Sequence, residues 1–113
     1  MNSCLDLARD YVRAFCRGDT GAMTELLAED FVIEGPLYRF DTATAFIQRL
    51  KQLNPPTADY EVVAEQGDGD RASLFFRYQL GPLEILMAMN FIASNGLLTR
   101  ALLVFDTAKL PKR

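Results

Sequence analysis

Residues 83–105 constrain this chain more than any other stretch. They read as two strands joined by a hairpin at Ser94-Asn95-Gly96, because Asn-Gly supplies the positive φ angles that a tight hairpin turn requires. Alternation puts Ile85, Met87, Met89 and Phe91, continued by Ala101, Leu103 and Phe105, on one face. It puts Leu86, Ala88 and Ile92, continued by Leu98, Leu102 and Val104, on the other. Both faces are therefore apolar, whereas an antiparallel sheet in a small lone domain keeps one face wet. The hairpin needs two covers. The chain's own helices can supply one, and a second copy of the protein the other, so a homodimer packed through the outer sheet face is expected.

The helices are legible in the first half. Ser3 with Asp6 reads as a capping box, Leu5, Ala8, Val12 and Phe15 recur at helical spacing, and Gly18 is the expected stop. The spacing predicts a helix over 3–17. Asp19 or Thr20 then caps a short helix carrying Ala22, Met23, Leu26 and Leu27 and ending near Ala28. A strand over 30–34 ends at Gly35-Pro36, and a second extended piece covers 37–40. Asp41-Thr42 opens a third helix whose apolar face is Phe46, Ile47, Leu50 and Leu53, stopped by Asn54-Pro55-Pro56. Strands are expected over 58–65, 72–80, 83–93 and 97–106, separated by Gly67-Asp68-Gly69-Asp70, Gly81-Pro82 and Asn95-Gly96. Three helices with a long antiparallel sheet make an α+β plan.

At 113 residues the chain has the length of one domain, here taken as 1–113. Half of the residues are hydrophobic and 24% are charged, which places it among globular chains. The net charge of −3 argues against a nucleic-acid partner, since such binders present a basic patch. The one basic cluster, Lys109, Lys112 and Arg113, reads as a frayed tail. No apolar run has the length of a membrane span, and Met1-Asn2-Ser3-Cys4 lacks the regions of a signal peptide, so a cytoplasmic location and no membrane partner are expected. Cys4 and Cys16 share the first helix about 18 Å apart, beyond disulfide reach. They read as free thiols in a reducing compartment.

The order helix-helix-strand-strand-helix followed by four strands resembles the NTF2-like superfamily, which includes SnoaL-like and ketosteroid-isomerase-like members. The resemblance is carried by Tyr11-Val12-Arg13-Ala14-Phe15-Cys16-Arg17-Gly18-Asp19 and by Leu26-Leu27-Ala28-Glu29-Asp30-Phe31-Val32-Ile33-Glu34-Gly35-Pro36, more weakly by Phe76-Arg77-Tyr78-Gln79 and Arg100-Ala101-Leu102. It implies an α+β cone in which three helices pack in a strongly curved, mainly antiparallel sheet. It names no activity, because one fold hosts many functions. Compared with ketosteroid isomerase, Tyr11 matches the tyrosine that donates to a developing oxyanion. The general base falls on Gly35 and the second acid near Met89. Glycine cannot abstract a proton and methionine cannot donate a hydrogen bond, so steroid isomerisation by that route is not expected.

Other chemistry is sparse. The chain has no histidine, which removes Ser-His-Asp and Cys-His arrangements and the commonest metal ligand; neither a metal site nor a cofactor is expected. Tyr11 is the candidate catalytic residue, with core packing as its alternative. Glu34 alternates outward if the strand's apolar side faces in. Asp68-Gly69-Asp70 has a calcium-loop flavour but lacks the remaining ligands, so it reads as a turn. Cys16 beside Arg17 invites a lowered pKa, without a base to use it. Arg77, Gln79, Asn90 and Arg100 fall on the outer face, as polar contacts of an interface.

Tyr11, Phe15, Ile33, Tyr38, Phe46, Phe76, Tyr78, Met87, Met89 and Phe91 form the expected lining of an apolar pocket, in which methionine adapts to varied ligands. Three functions fit: a binder of a small apolar molecule; a SnoaL-like isomerase, cyclase or hydrolase of a lipophilic substrate with Tyr11 as donor; and a non-catalytic dimeric adaptor whose cavity is filled.

Overall fold

The structure is a computed structural model and describes residues 3–110; Met1, Asn2, Pro111, Lys112 and Arg113 lie outside the described residues. Helix α1 spans Cys4–Arg17, α2 Thr20–Leu26 and α3 Ala43–Leu53. The strands are β1 Leu27–Glu34, β2 Arg39–Phe40, β3 Asp59–Asp68, β4 Arg71–Leu80, β5 Leu83–Ser94 and β6 Leu97–Phe105, and a 3-10 turn, Thr107–Lys109, follows. The sheet order is β2-β1-β6-β5-β4-β3. Only the β1–β6 pairing among these is parallel.

Local chemistry sets the helix ends. Ser3 accepts from the Asp6 amide while Asp6 reaches back to the Ser3 amide, the reciprocal box that satisfies two orphan donors. Gly18 closes α1 in the left-handed region at φ 69°, donating to the carbonyls of Ala14 and Phe15. Asp19 caps α2, and Thr42 caps α3. The buried stripe of α1 is Cys4, Leu7, Ala8, Tyr11, Val12 and Ala14 with Cys16. Its outer flank is tied to edge strand β3 by the Arg9 guanidinium, which donates to both Glu65 carboxylate oxygens at 2.9 and 2.6 Å.

Two expectations need correction. Leu98 does not share the outer face with Leu102. The ladder pairs Ile92 with Arg100 but Ala93 with Leu98, so Thr99 is an extra residue, and this bulge turns Leu98 into the core, where it is fully buried. Leu53 does not complete the α3 face: it lies in the last turn and is 56% exposed. The α2 boundary also shifts, because residues 27–34 pair with β6 and extend β1 back to Leu27.

The strand registers build the inner surface in rows. Phe76, Met87 and Phe105 form one, Leu74, Met89 and Leu103 the next, and Ala72, Phe91 and Ala101 a third. The helices close over them. At Gly67 the approach is at its limit: a Cβ there would stand 2.8 Å from the Cβ of Leu5 on α1. A backbone-anchored atom cannot swing aside, so Gly67→Ala is expected to push α1 off β3 and cost about 1–3 kcal/mol. The urea midpoint checks this; an unchanged midpoint would show that α1 moves freely there.

Candidate functional site

The predicted lining residues are distributed over every layer that faces the helices. Tyr11, Ile33, Phe46, Phe76, Met87, Met89 and Phe91 are buried, while Phe15, Tyr38 and Tyr78 are partly buried. The structure links four of them in one aromatic chain. The Tyr11 ring lies parallel to Phe15 at 6.2 Å and edge-on to Phe91 at 5.4 Å, and Phe15 continues to Tyr78 at 6.4 Å. A second chain joins Tyr38 to Phe46 at 6.4 Å and to Phe40 at 5.5 Å, with Phe31 beyond Phe46 at 6.1 Å. Phe76 takes neither of these neighbours; Tyr60 stands edge-on to it at 6.4 Å. Phe40 and Phe31 in the second chain, and Tyr60 against Phe76, stand outside the expected lining. Phe40 had a signal, since it lies two residues from Tyr38 on one extended segment.

The electrostatics are those of a dry interior. No polar or charged side chain is buried among the described residues, apart from phenols and thiols. Burial, with smaller contributions from Tyr38 and Cys16, holds the Tyr11 phenol well above its ordinary pKa. Burial likewise pushes Tyr38 up to about 12. No side-chain hydrogen bond among the described residues involves either phenol, yet no sealed side-chain oxygen or nitrogen there lacks a partner.

Groups outside the cone resolve plainly. Glu34 is exposed and accepts from Arg39 at 2.9 Å, as its outward alternation predicts. Asp68-Gly69-Asp70 is the β3–β4 turn. Cys16 is the reverse of the reactive thiol that Arg17 suggested. Burial, then the charge of Asp59, pushes its pKa up to about 11. Because the folded pKa lies above the ordinary value, Cys16 contributes stability below about pH 9 that is lost as pH rises through 11. Alkylation by iodoacetamide at pH 8 should run roughly 100-fold slower than for a free thiol; rapid labelling of the folded protein would refute the burial argument.

Among the described residues no cluster of three or more His, Cys, Asp or Glu gathers as metal ligands, and no helix is long and apolar enough to cross a membrane. Several clefts formed by described residues lie outside the cone. One of about 470 Å³ lies between the start of α1 and two hairpin turns, among Ser3, Cys4, Asp70 and Asn95. Another, of about 320 Å³, separates α1 from α2 among Arg13, Arg17, Asp19 and Glu25.

A curved, unclosed mixed sheet wrapped on three helices around an aromatic interior defines an NTF2-like cone. A family model for the SnoaL-like domain matches residues 8–94, and the chain belongs to that family. Solved structures agree on the fold. An NTF2-like protein of unknown function from Cytophaga hutchinsonii is 17% identical, with 96% of this chain and 94% of that one covered at a TM-score of 0.80. A Kribbella flavida protein provisionally assigned as a ketosteroid isomerase is 23% identical, with 97% and 82% covered at 0.79. An LEH-like epoxide hydrolase of M. tuberculosis is 16% identical, with 94% and 84% covered at 0.77. At these identities the likeness is one of fold alone. No curated protein matches this chain.

Proposed function

We propose that this protein binds a small, largely apolar molecule inside the cone. The observation that carries the reading is the character of the interior: aromatic rings, methionines and phenols, with no buried charge or amide among the described residues. Such a lining gains affinity by removing apolar surface from water, at about 25 cal/mol per Å², and fixes orientation with few polar contacts. Catalysis is the second reading, favoured by fold neighbours that include the epoxide hydrolase and the provisional ketosteroid isomerase. It needs a base within reach of substrate. Glu34 points to solvent with Arg39, and Gly35 and Met89 bring none.

The protein is also proposed to be a homodimer. Phe75, Leu86, Leu102 and Val104 lie between 45 and 56% exposed on β4, β5 and β6, an apolar surface that a lone subunit seldom leaves open. A reducing, cytoplasmic setting fits the free, buried thiols Cys4 and Cys16. Native mass spectrometry of freshly purified protein tests the main reading, with thermal shifts against uncharged lipophilic compounds as the second arm. A retained mass or a saturable stabilisation is expected. A chain that carries no mass and responds to none of the compounds would leave the cone a filled core, which is the adaptor reading.

A further inference from the structure

The outer sheet face changes charge along its strands. Alternate residues of β4, β5 and β6 point outward, and the registers set them in rows across the sheet. The central row, Phe75, Ala88 and Val104, carries no charge. On one side of it lie Ser73, Asn90 and Leu102, and then Arg71, Ile92 and Arg100 as an end row. On the other side Leu86 stands between the central row and a second end row, in which Glu84 and Gln79 are continued on β3 by Asp59. Arg77 beside Leu86 is offset by Glu61, and Asp68 stands beyond Arg71 at the sheet margin. One end row is thus basic at Arg71 and Arg100, and the other acidic at Glu84 and Asp59. All four side chains are exposed, and no ion pair among the described residues engages them. Rows on one face are about 7 Å apart along the strand, so the two end rows stand roughly 27 Å apart. They are too distant to neutralise each other within one subunit.

Two copies packed face to face are related by a two-fold axis lying in the plane between their sheets. Aligned sheets cross at about 30°, so the strands of the two copies run either nearly parallel or nearly reversed. An axis along the strands makes them parallel. It lays β4 over β6 and sets Arg71 against Arg100 of the partner subunit, a clash of like charges. An axis across the strands reverses them. It lays the uncharged central row over its own copy and the basic end row over the acidic one. Neighbouring strands are about 4.8 Å apart, so Arg71 and Arg100 then flank Glu84 of the partner subunit from either side, with the partner's Asp59 next to Arg71. Both packings bury the same apolar side chains, and charge complementarity fixes the register between them. Resting on the dimer reading above, we infer that the two copies pack with strands reversed about the Phe75–Ala88–Val104 row, so that Arg71 and Arg100 of each close on Glu84 of the partner subunit.

Dilution series in sedimentation velocity test this with Arg100→Glu, a substitution at an exposed position. It turns an attraction into a repulsion at two equivalent places, and the dimer Kd is expected to rise roughly 10-fold. In the parallel packing the same substitution would face Arg71 with a carboxylate and tighten the dimer. A lower or unchanged Kd therefore overturns the reversed packing and leaves the dimer standing, whereas a monomeric wild type removes the dimer reading and this inference with it. A crosslink locates the axis without altering any charge. Leu86 lies over Asn90 of the partner subunit in the reversed packing, and over its own copy in the parallel one. Leu86→Cys mixed with Asn90→Cys should be joined by a bismaleimide about 10 Å long, the face-to-face spacing of packed sheets, while either variant alone should not. Cys4 and Cys16 are buried and do not compete. A crosslinked dimer from Leu86→Cys alone, or none from the mixture, overturns the proposal.

Discussion

Leu102→Glu is expected to turn the dimer proposed above into a monomer. Leu102 is 45% exposed in the row Ser73, Asn90, Leu102, beside the row Phe75, Ala88, Val104. Within this row the Asn90 side-chain amide donates to Ser73 Oγ at 3.0 Å, and Arg77 and Arg100 stand exposed on the same face. Packing two such faces about a two-fold axis brings each substituted position into the interface, so one substitution acts twice. Each copy loses roughly 1.5–3 kcal/mol of leucine burial, and each carboxylate must be desolvated near a like charge. A loss of about 4 kcal/mol or more weakens association by roughly a thousandfold. Sedimentation velocity at micromolar concentration checks this, and the variant monomer should melt normally. A wild-type protein that already sediments as a monomer would remove the dimer.

Met89→Asp is expected to lose much of the protein's stability near neutral pH and to recover part of it in acid. Met89 is only 5% exposed and sits between Leu74 and Leu103, with no cation or amide buried among the described residues to receive a carboxylate. The side chain must stay neutral to remain inside, which raises its folded pKa, by as much as 3–5 units for full burial. A shift near 3 units corresponds to about 4 kcal/mol at pH 7. The sign follows from linkage. The folded state holds the proton more tightly, so the penalty is absent below the unfolded pKa of about 4 and grows as pH rises towards the folded value. The gap between variant and wild-type melting temperatures should therefore be wide at pH 8 and narrower at pH 5. A gap independent of pH would mean that the carboxylate escapes to water, and that the Met89 row is not sealed.

Much of the fold is readable in the residues. The capping pair Ser3 and Asp6, the stop at Gly18 and the turn at Asn95-Gly96 are local devices, and each acts as its chemistry predicts. Alternation in Ile85, Met87, Met89 and Phe91 is equally local and assigns the buried face of β5 correctly. Leu98 shows where that logic stops. Period-2 counting assumes an unbroken ladder, and the bulge at Thr99 is set by how β6 pairs with both β5 and β1. Leu53 fails for a similar reason: helical spacing gives it the right face, but at the end of α3 it is left 56% exposed.

The candidate site divides in the same way. Sequence alone determined which residues are apolar enough to line a cone, that Tyr11 is the phenol of the first helix, and that Gly35 and Met89 bring neither base nor acid. Tertiary structure alone decided that Tyr38 turns its hydroxyl-bearing carbon towards Gly35 and Leu103, that Cys16 is a sealed thiol rather than an activated one, and that Glu34 is bound to Arg39 at the surface. The physical reason is range. Caps, turns and face periodicity are settled by residues within a turn or two of each other. Proximity across the cone, and the desolvation that sets a phenol's or a thiol's pKa, depend on segments far apart in sequence, whose meeting no local pattern records.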